Sequence, residues 1–177
     1  MSDEHKVIYI NSEDNRYRFA LGIDGKNPLI CIGVNPSTAT PEEYDRTMYK
    51  LKKVAEDPSN DYDGHIMVNL YPKRCVDPTT LPYVKNFHDY KENLEVIEEI
   101  LKGGNLTVWL AWGTSIDYRD YLKESALEII DLARKYNNKL ICRGTTKDGH
   151  PRHPCRQANN IPFEDVDYWK IKILYMG

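Results

Sequence analysis

Leu29-Ile30-Cys31-Ile32-Gly33-Val34 is an unbroken apolar run, and it leads into Asn35-Pro36-Ser37-Thr38-Ala39-Thr40, a string of small and hydroxyl-bearing residues. An apolar run without alternation marks a strand covered on both faces, the pattern of a parallel sheet. Working outward, three further runs repeat it: His65-Ile66-Met67-Val68-Asn69-Leu70, residues 106–112 and residues 139–143. Helical patterns lie between them. Thr40-Pro41-Glu42-Glu43 reads as a capping box with proline in the first turn, and it predicts a helix burying Tyr44, Met48, Leu51 and Ala55. Residues 89–102 carry Tyr90, Leu94, Ile97 and Leu101 on one side and end at Gly103-Gly104; residues 117–136 bury Leu122, Ile129 and Ala133.

Before the first buried run, residues 6–10 and 17–23 flank Asn11-Ser12-Glu13-Asp14-Asn15 and read as a hairpin. Residues 169–176 read as a last edge strand. Strand and helix alternate at βα spacing, which predicts a three-layer α/β/α fold. Its central, mainly parallel sheet has four strands, at 29–34, 64–70, 106–112 and 139–143, with an N-terminal hairpin added. The 177 residues suit one domain spanning the chain.

Composition narrows the function. With 24 Lys and Arg against 27 Asp and Glu, the net charge of −3 excludes a generic duplex coater and falls far short of an acidic nucleic-acid mimic. No apolar run reaches the ~18 residues of a membrane span. Met1-Ser2-Asp3-Glu4-His5 is polar and does not read as a secretory signal. Cys31, Cys75, Cys142 and Cys155 lack paired spacing and are expected to be reduced thiols in a cytoplasmic protein. Thirteen Tyr and 3 Trp against 3 Phe give most aromatics a polar handle, which suits wet pockets.

Ligands of such sheets bind beyond the carboxyl ends of the strands, so the four segments leaving those ends are the candidate site. The first carries Asn35, Ser37 and Thr38 toward a helix N-terminus, without a Walker or dinucleotide-binding glycine pattern. The second is Asn69-Leu70-Tyr71-Pro72-Lys73-Arg74, in which cations next to Tyr71 suit either a phosphate beside a stacked ring or a solvated turn. The third is Trp112-Gly113-Thr114-Ser115, where Trp112 walls a pocket or fills the core. The fourth, residues 139–156, holds Lys139, Arg143, Lys147, Arg152 and Arg156 against Asp148 alone. Within it, two glycines and two prolines enforce a loop over 144–154. A positive loop on an acidic chain reads as an anion site or as a solvated face. His150, His153 and Cys155 lie close in sequence, but zinc takes further Cys or His at defined spacing, and three nearby cations oppose it. No metal and no cofactor is expected.

Together these segments resemble the bacterial and phage family catalogued as domain of unknown function 1643. The carriers are Gly33-Val34-Asn35-Pro36-Ser37-Thr38-Ala39, Asp45-Arg46-Thr47, Asn69-Leu70-Tyr71-Pro72-Lys73-Arg74, Ala111-Trp112-Gly113, and Lys147-Asp148-Gly149-His150-Pro151-Arg152-His153-Pro154. Cys155 departs from the bulky aliphatic residue expected there. More remotely, Gly33-Val34-Asn35-Pro36, Trp112-Gly113 and His153-Pro154 are similar in order and place to motifs of the uracil-DNA glycosylase superfamily. Ser37 stands where its mismatch-specific members have glycine, and Cys155-Arg156-Gln157 does not reproduce their DNA-penetrating loop.

That resemblance implies a glycosylase-like fold and hydrolysis of a base–sugar bond in a nucleotide or single-stranded nucleic acid. Asn35 would hold water or the base, and His153 would bond the departing base. Asp45 would orient or deprotonate water, or else pair with Arg46 or Lys147. The substrate-binding set is Ser37, Thr38, Asn69, Tyr71, Arg74, Trp112, Lys147, His150 and Arg152. Two alternatives use the same residues without catalysis: a pocket for a nucleotide, nucleoside or nucleotide-derived signal, and a protein-docking module built on the basic loop 143–156. Asn35, Asn69, Trp112 and His153 are expected to converge on one cleft at the sheet's carboxyl edge, with Lys147 and Arg152 at its rim.

Overall fold

The computed structural model describes residues 5–158 and 160–177. Its strands are β1 (Val7–Asn11), β2 (Arg18–Ile23), β3 (Pro28–Gly33), β4 (Gly64–Asn69), β5 (Thr107–Leu110), β6 (Lys139–Cys142) and β7 (Glu164–Asp165). They form one sheet in the order β1-β2-β4-β3-β5-β6-β7. β4, β3, β5 and β6 pair in parallel; β1, β2 and β7 are antiparallel additions at the two margins. The four buried runs are thus the parallel centre. The hairpin is β1–β2, and it extends the same sheet to seven strands with β7 on the far side.

Helix α1 (Arg46–Ala55) covers one face. It packs Met48, Leu51 and Val54 on Leu29, Cys31 and Trp109. Helices α2 (Phe87–Leu101), α3 (Asp120–Lys135) and α4 (Tyr168–Met176) cover the other face, where Ile97, Leu122, Ile129 and Ile171 meet Ile30, Ile32, Val68 and Leu110. Cys31 and Cys142 are buried in their strands, and burial pushes both thiols up, Cys142 to about 12. Among the described residues no helix is long and apolar enough to cross a membrane.

Two elements depart from the sequence pattern. α1 begins at Arg46, not Thr40. The Thr40 hydroxyl does accept from the Glu43 N–H, but the paired backbone bonds between these residues close a turn. Asp45, whose Oδ1 accepts from the Met48 N–H at 2.9 Å, is the true cap. Tyr44 still packs against the α1 core from the preceding loop. The second departure is the predicted edge strand at 169–176, which is α4. Asp167 caps it by accepting from the Trp169 and Lys170 N–H groups, and the edge position goes to β7. A good cap and burial of Ile171 override the β-propensity of Trp, Ile and Tyr.

α4 is tied to the centre by a polar chain. Trp112 Nε1 donates to the Tyr175 hydroxyl at 2.7 Å, that hydroxyl lies 3.1 Å from His150 Nδ1, and His150 Nε2 lies 2.9 Å from Asp117 Oδ2. One proton arrangement satisfies every group: Tyr175 donates to Nδ1, and Nε2–H donates to the carboxylate. Tyr175→Phe therefore leaves the Trp112 N–H unpaired at a residue only 1% exposed. We expect a loss of about 1–3 kcal/mol in urea unfolding, whereas Met176→Ala, at an exposed position, should stay within about 0.5 kcal/mol.

Candidate functional site

Parallel pairing brings the strand ends together. Gly33 is in register with Asn69, Ile32 with Leu110, and the Ala111 N–H continues the ladder to the Ile32 carbonyl at 2.9 Å. Beyond this edge lies a cleft of about 830 Å³, lined from all four exits and from the start of α1. Asn35, Ser37, Asp45, Asn69, Trp112, Lys147, Arg152 and His153 line it. The other proposed ligand contacts lie elsewhere. Thr38 is exposed away from the cleft. Tyr71 is fully buried, its hydroxyl accepting from the Asn86 N–H and its ring against Tyr121. His150 belongs to the chain that holds α4. Arg74 donates to the Ser37 and Ala39 carbonyls and the Tyr9 hydroxyl, so it fastens the first exit loop from behind.

Asn69 forms the floor. It is 1% exposed, and neither its Oδ1 nor its Nδ2 has a hydrogen-bond partner among the described residues. Gly33 makes room for it, because a Cβ there would stand 2.9 Å from Asn69 Oδ1 and 2.7 Å from Met67 Cε. Asn93 supports the strand end from the opposite side, donating to the Asn69 carbonyl at 2.9 Å. An amide buried with both ends open costs about 1–3 kcal/mol per lost bond, so its open edge is a ready donor–acceptor pair for a ligand.

Asn35 is used differently. Its Nδ2 donates to the Cys75 carbonyl at 2.8 Å and the Pro36 carbonyl at 3.0 Å, which ties the first exit to the second. Asp45 spends Oδ1 on the α1 cap, and its other oxygen has no partner among the described residues. The expected ion pairs of Asp45 with Arg46 or Lys147 are not formed.

His153 is placed by three constraints. Gly113 adopts φ +61°, and the Gly113 N–H donates to the Pro151 carbonyl at 2.7 Å. A Cβ at that glycine would come within 3.3 Å of His153 Cβ. Lys50 of α1 donates to the Pro154 and Gln157 carbonyls, which pins the following turn. His153 Nδ1 accepts from the Cys155 N–H, leaving the proton of the neutral ring on Nε2. Burial first, then Arg156 and Lys50, bring His153 down to about 4 against the opposing pull of Asp45. At neutral pH it is an uncharged donor.

The cleft is strongly cationic. Arg18, Arg46, Lys147, Arg152 and Arg156 line it against the single carboxylate of Asp45, and none of the five is in an ion pair among the described residues. The basic loop divides: Lys139 pairs with Asp165, and Arg143 stacks on Phe163, both outside the cleft. Arg156 belongs to the basic segment that sequence marks as an anion site or a solvated face, whereas Arg18 and Arg46 carry no such signal as ligand contacts. Arg18 sits in the β-rich run 17–23, and the fold shows it to be buried. The family described as Protein of unknown function (DUF1643) matches residues 16–155, which takes in every cleft-lining residue except Arg156. No match to a curated protein or to a solved structure was found.

The histidines give a pH test. In the unfolded chain a histidine protonates near pH 6.5, whereas folded His153 and His65, the latter held down chiefly by its burial, stay neutral to about 4. The unfolded state therefore binds more protons in this window, and stability is lost as pH falls from about 6.5 toward about 4. Urea midpoints should decline across that interval, less steeply in His153→Gln. A flat profile in the parent protein would contradict the lowered protonation of buried His65 and half-buried His153.

Proposed function

Taking as premise that the chain belongs to the DUF1643 family, we propose that its cleft holds a nucleotide, free or within a single strand, and hydrolyses the base–sugar bond. The unpartnered Asn69 amide at the floor of a cationic cleft carries this reading. A nucleobase edge presents adjacent donors and acceptors, which a fixed amide pairs in two bonds. Tyr118, exposed at the cleft, supplies aromatic surface for a base drawn out of its stack, while Trp112 is buried in the wall behind it.

In this mechanism water adds to the sugar's anomeric carbon as the bond to the base nitrogen breaks, and the bonding pair leaves with the base. His153 Nε2–H donates to the base as negative charge develops there, an interaction stronger in the transition state than before it. The free oxygen of Asp45 takes a proton from water, and that proton is delivered to the departing base. The four parallel strands then form a uracil-DNA glycosylase-like core, with the first and last exit loops facing each other across the leaving base. The exposed basic rim draws the anionic ligand toward the cleft.

One observation favours a non-catalytic nucleotide pocket as a second reading. The Asn35 amide, which would hold water, is occupied by the Cys75 loop. Incubation with nucleosides, nucleotides and base-modified single-stranded oligonucleotides, followed by mass spectrometry for free base, separates the two. The first reading expects base release that falls about tenfold or more in Asn69→Ala. Lys147→Ala should instead raise KM, by a factor that shrinks with added salt. Tight nucleotide binding with no released base from any substrate replaces the first reading by the second.

A further inference from the structure

Among the cations that line the cleft, Arg18 is the buried one; Arg46, Lys147, Arg152 and Arg156 are exposed. It is 2% exposed. Its backbone N–H donates to the Pro72 carbonyl at 2.9 Å and its Nη1 to the Ala39 carbonyl at 3.0 Å, so the side chain is anchored from the loop side. Nε is buried with no partner, and no described residue bonds to Nη2. The unused edge is thus the Nε/Nη2 fork, two parallel donors spaced for two oxygens of one anion.

A second guanidinium stands behind it. Arg74 donates to the same Ala39 carbonyl at 3.3 Å, its own Nε is buried and unpartnered, and neither arginine is in an ion pair among the described residues. Burial, with Arg74 adding to it, pushes Arg18 down to about 10, so it is still charged at neutral pH. The Asp45 carboxylate pulls the other way but makes no ion pair with Arg18, and a buried cation without a paired anion is costly. Neutral base atoms would accept its hydrogen bonds and leave that charge standing. Two adjacent guanidiniums suit a dianion better than a carboxylate.

We propose that Arg18 is the anchor for a terminal phosphate monoester of the ligand, bound at the buried end of the cleft through the Nε/Nη2 fork. An internal phosphodiester carries one charge and continues as chain on both sides, which a residue this buried leaves no room for. The ligand is then a mononucleotide or a strand end. This deepens the nucleotide reading, and rests on it for the choice of probe.

Calorimetric titration of the full chain with a nucleoside, its 5′-monophosphate, ribose 5-phosphate and inorganic phosphate tests it. The parent protein should bind the monophosphate about tenfold or more tighter than the nucleoside. Arg18→Gln should abolish that preference while changing nucleoside affinity by less than about twofold. The preference should persist in about 0.5 M salt, because a buried contact is poorly screened. Should Arg18→Gln not fold, Arg18→Lys keeps the charge without the fork and should cut the preference about fivefold. Equal affinity for nucleoside and monophosphate overturns the proposal, as does a preference that Arg18→Gln leaves intact or that Arg18→Lys does not reduce. Arg18-dependent binding of ribose 5-phosphate or phosphate with no nucleoside binding upholds the anchor and sinks the nucleotide reading. Nucleoside binding to which phosphate adds nothing does the reverse, and no binding by any probe overturns both.

Discussion

Parallel pairing of β3 with β4 on one side and β5 on the other is the constraint on which the molecule depends. It ends three strands at neighbouring positions on one edge, so Gly33, Asn69 and the residues after Leu110 share one small region. Gly33 leaves that region open where a side chain would crowd the Asn69 amide. Helices α1, α2 and α3 follow from the same constraint, since each parallel crossover lays a helix on one face or the other. Through Lys50, α1 then returns to fix the turn that carries His153.

The site is held open at an energetic cost. An unpaired buried amide and an unpaired buried guanidinium each work against folding, and both lie at one cleft while the strands behind it are packed on both faces. Unpartnered buried polar atoms also occur away from the cleft, at Arg74, Asn93, Trp109, Arg143 and Gln157; those of Asn69 and Arg18 differ in that both residues line it. Charge has the same unevenness. The chain carries −3 overall, yet five cations face one carboxylate across the cleft. A mildly acidic protein with one positive concavity draws an anionic ligand to that concavity and not to its general surface.

The central strands were legible because four doubly covered runs have no other use in a chain this size. Asn35, Asn69, Trp112 and His153 could be placed at one edge because each follows such a run. What sequence concealed was competition between local signals and long-range ones. Thr40 and Glu43 satisfy each other whether or not a helix follows, and Asp45 takes the cap because its carboxylate reaches the Met48 N–H. Residues 169–176 read as β by propensity, but the Asp167 cap and the Tyr175 bonds to Trp112 and His150 select helix. Arg74 and Tyr71 look like ligand contacts in a basic turn, while their partners Ser37, Tyr9 and Asn86 are visible only after folding. Arg18 is the converse case, a cleft-lining cation inside an ordinary strand.

The open amide at the cleft floor is the claim that supports the rest, and it can be observed directly. Side-chain amide signals of Asn69 and Asn35 are resolvable by ¹⁵N–¹H correlation spectroscopy with assigned variants. Unbound, the Asn69 signal should lack the downfield proton shift of a bonded amide, while Asn35, held by Cys75, shows it. On titration with nucleoside monophosphates the Asn69 protons should move downfield with the binding isotherm and the Asn35 protons should hold still. Saturable nucleotide binding that leaves the Asn69 amide unmoved would contradict the account.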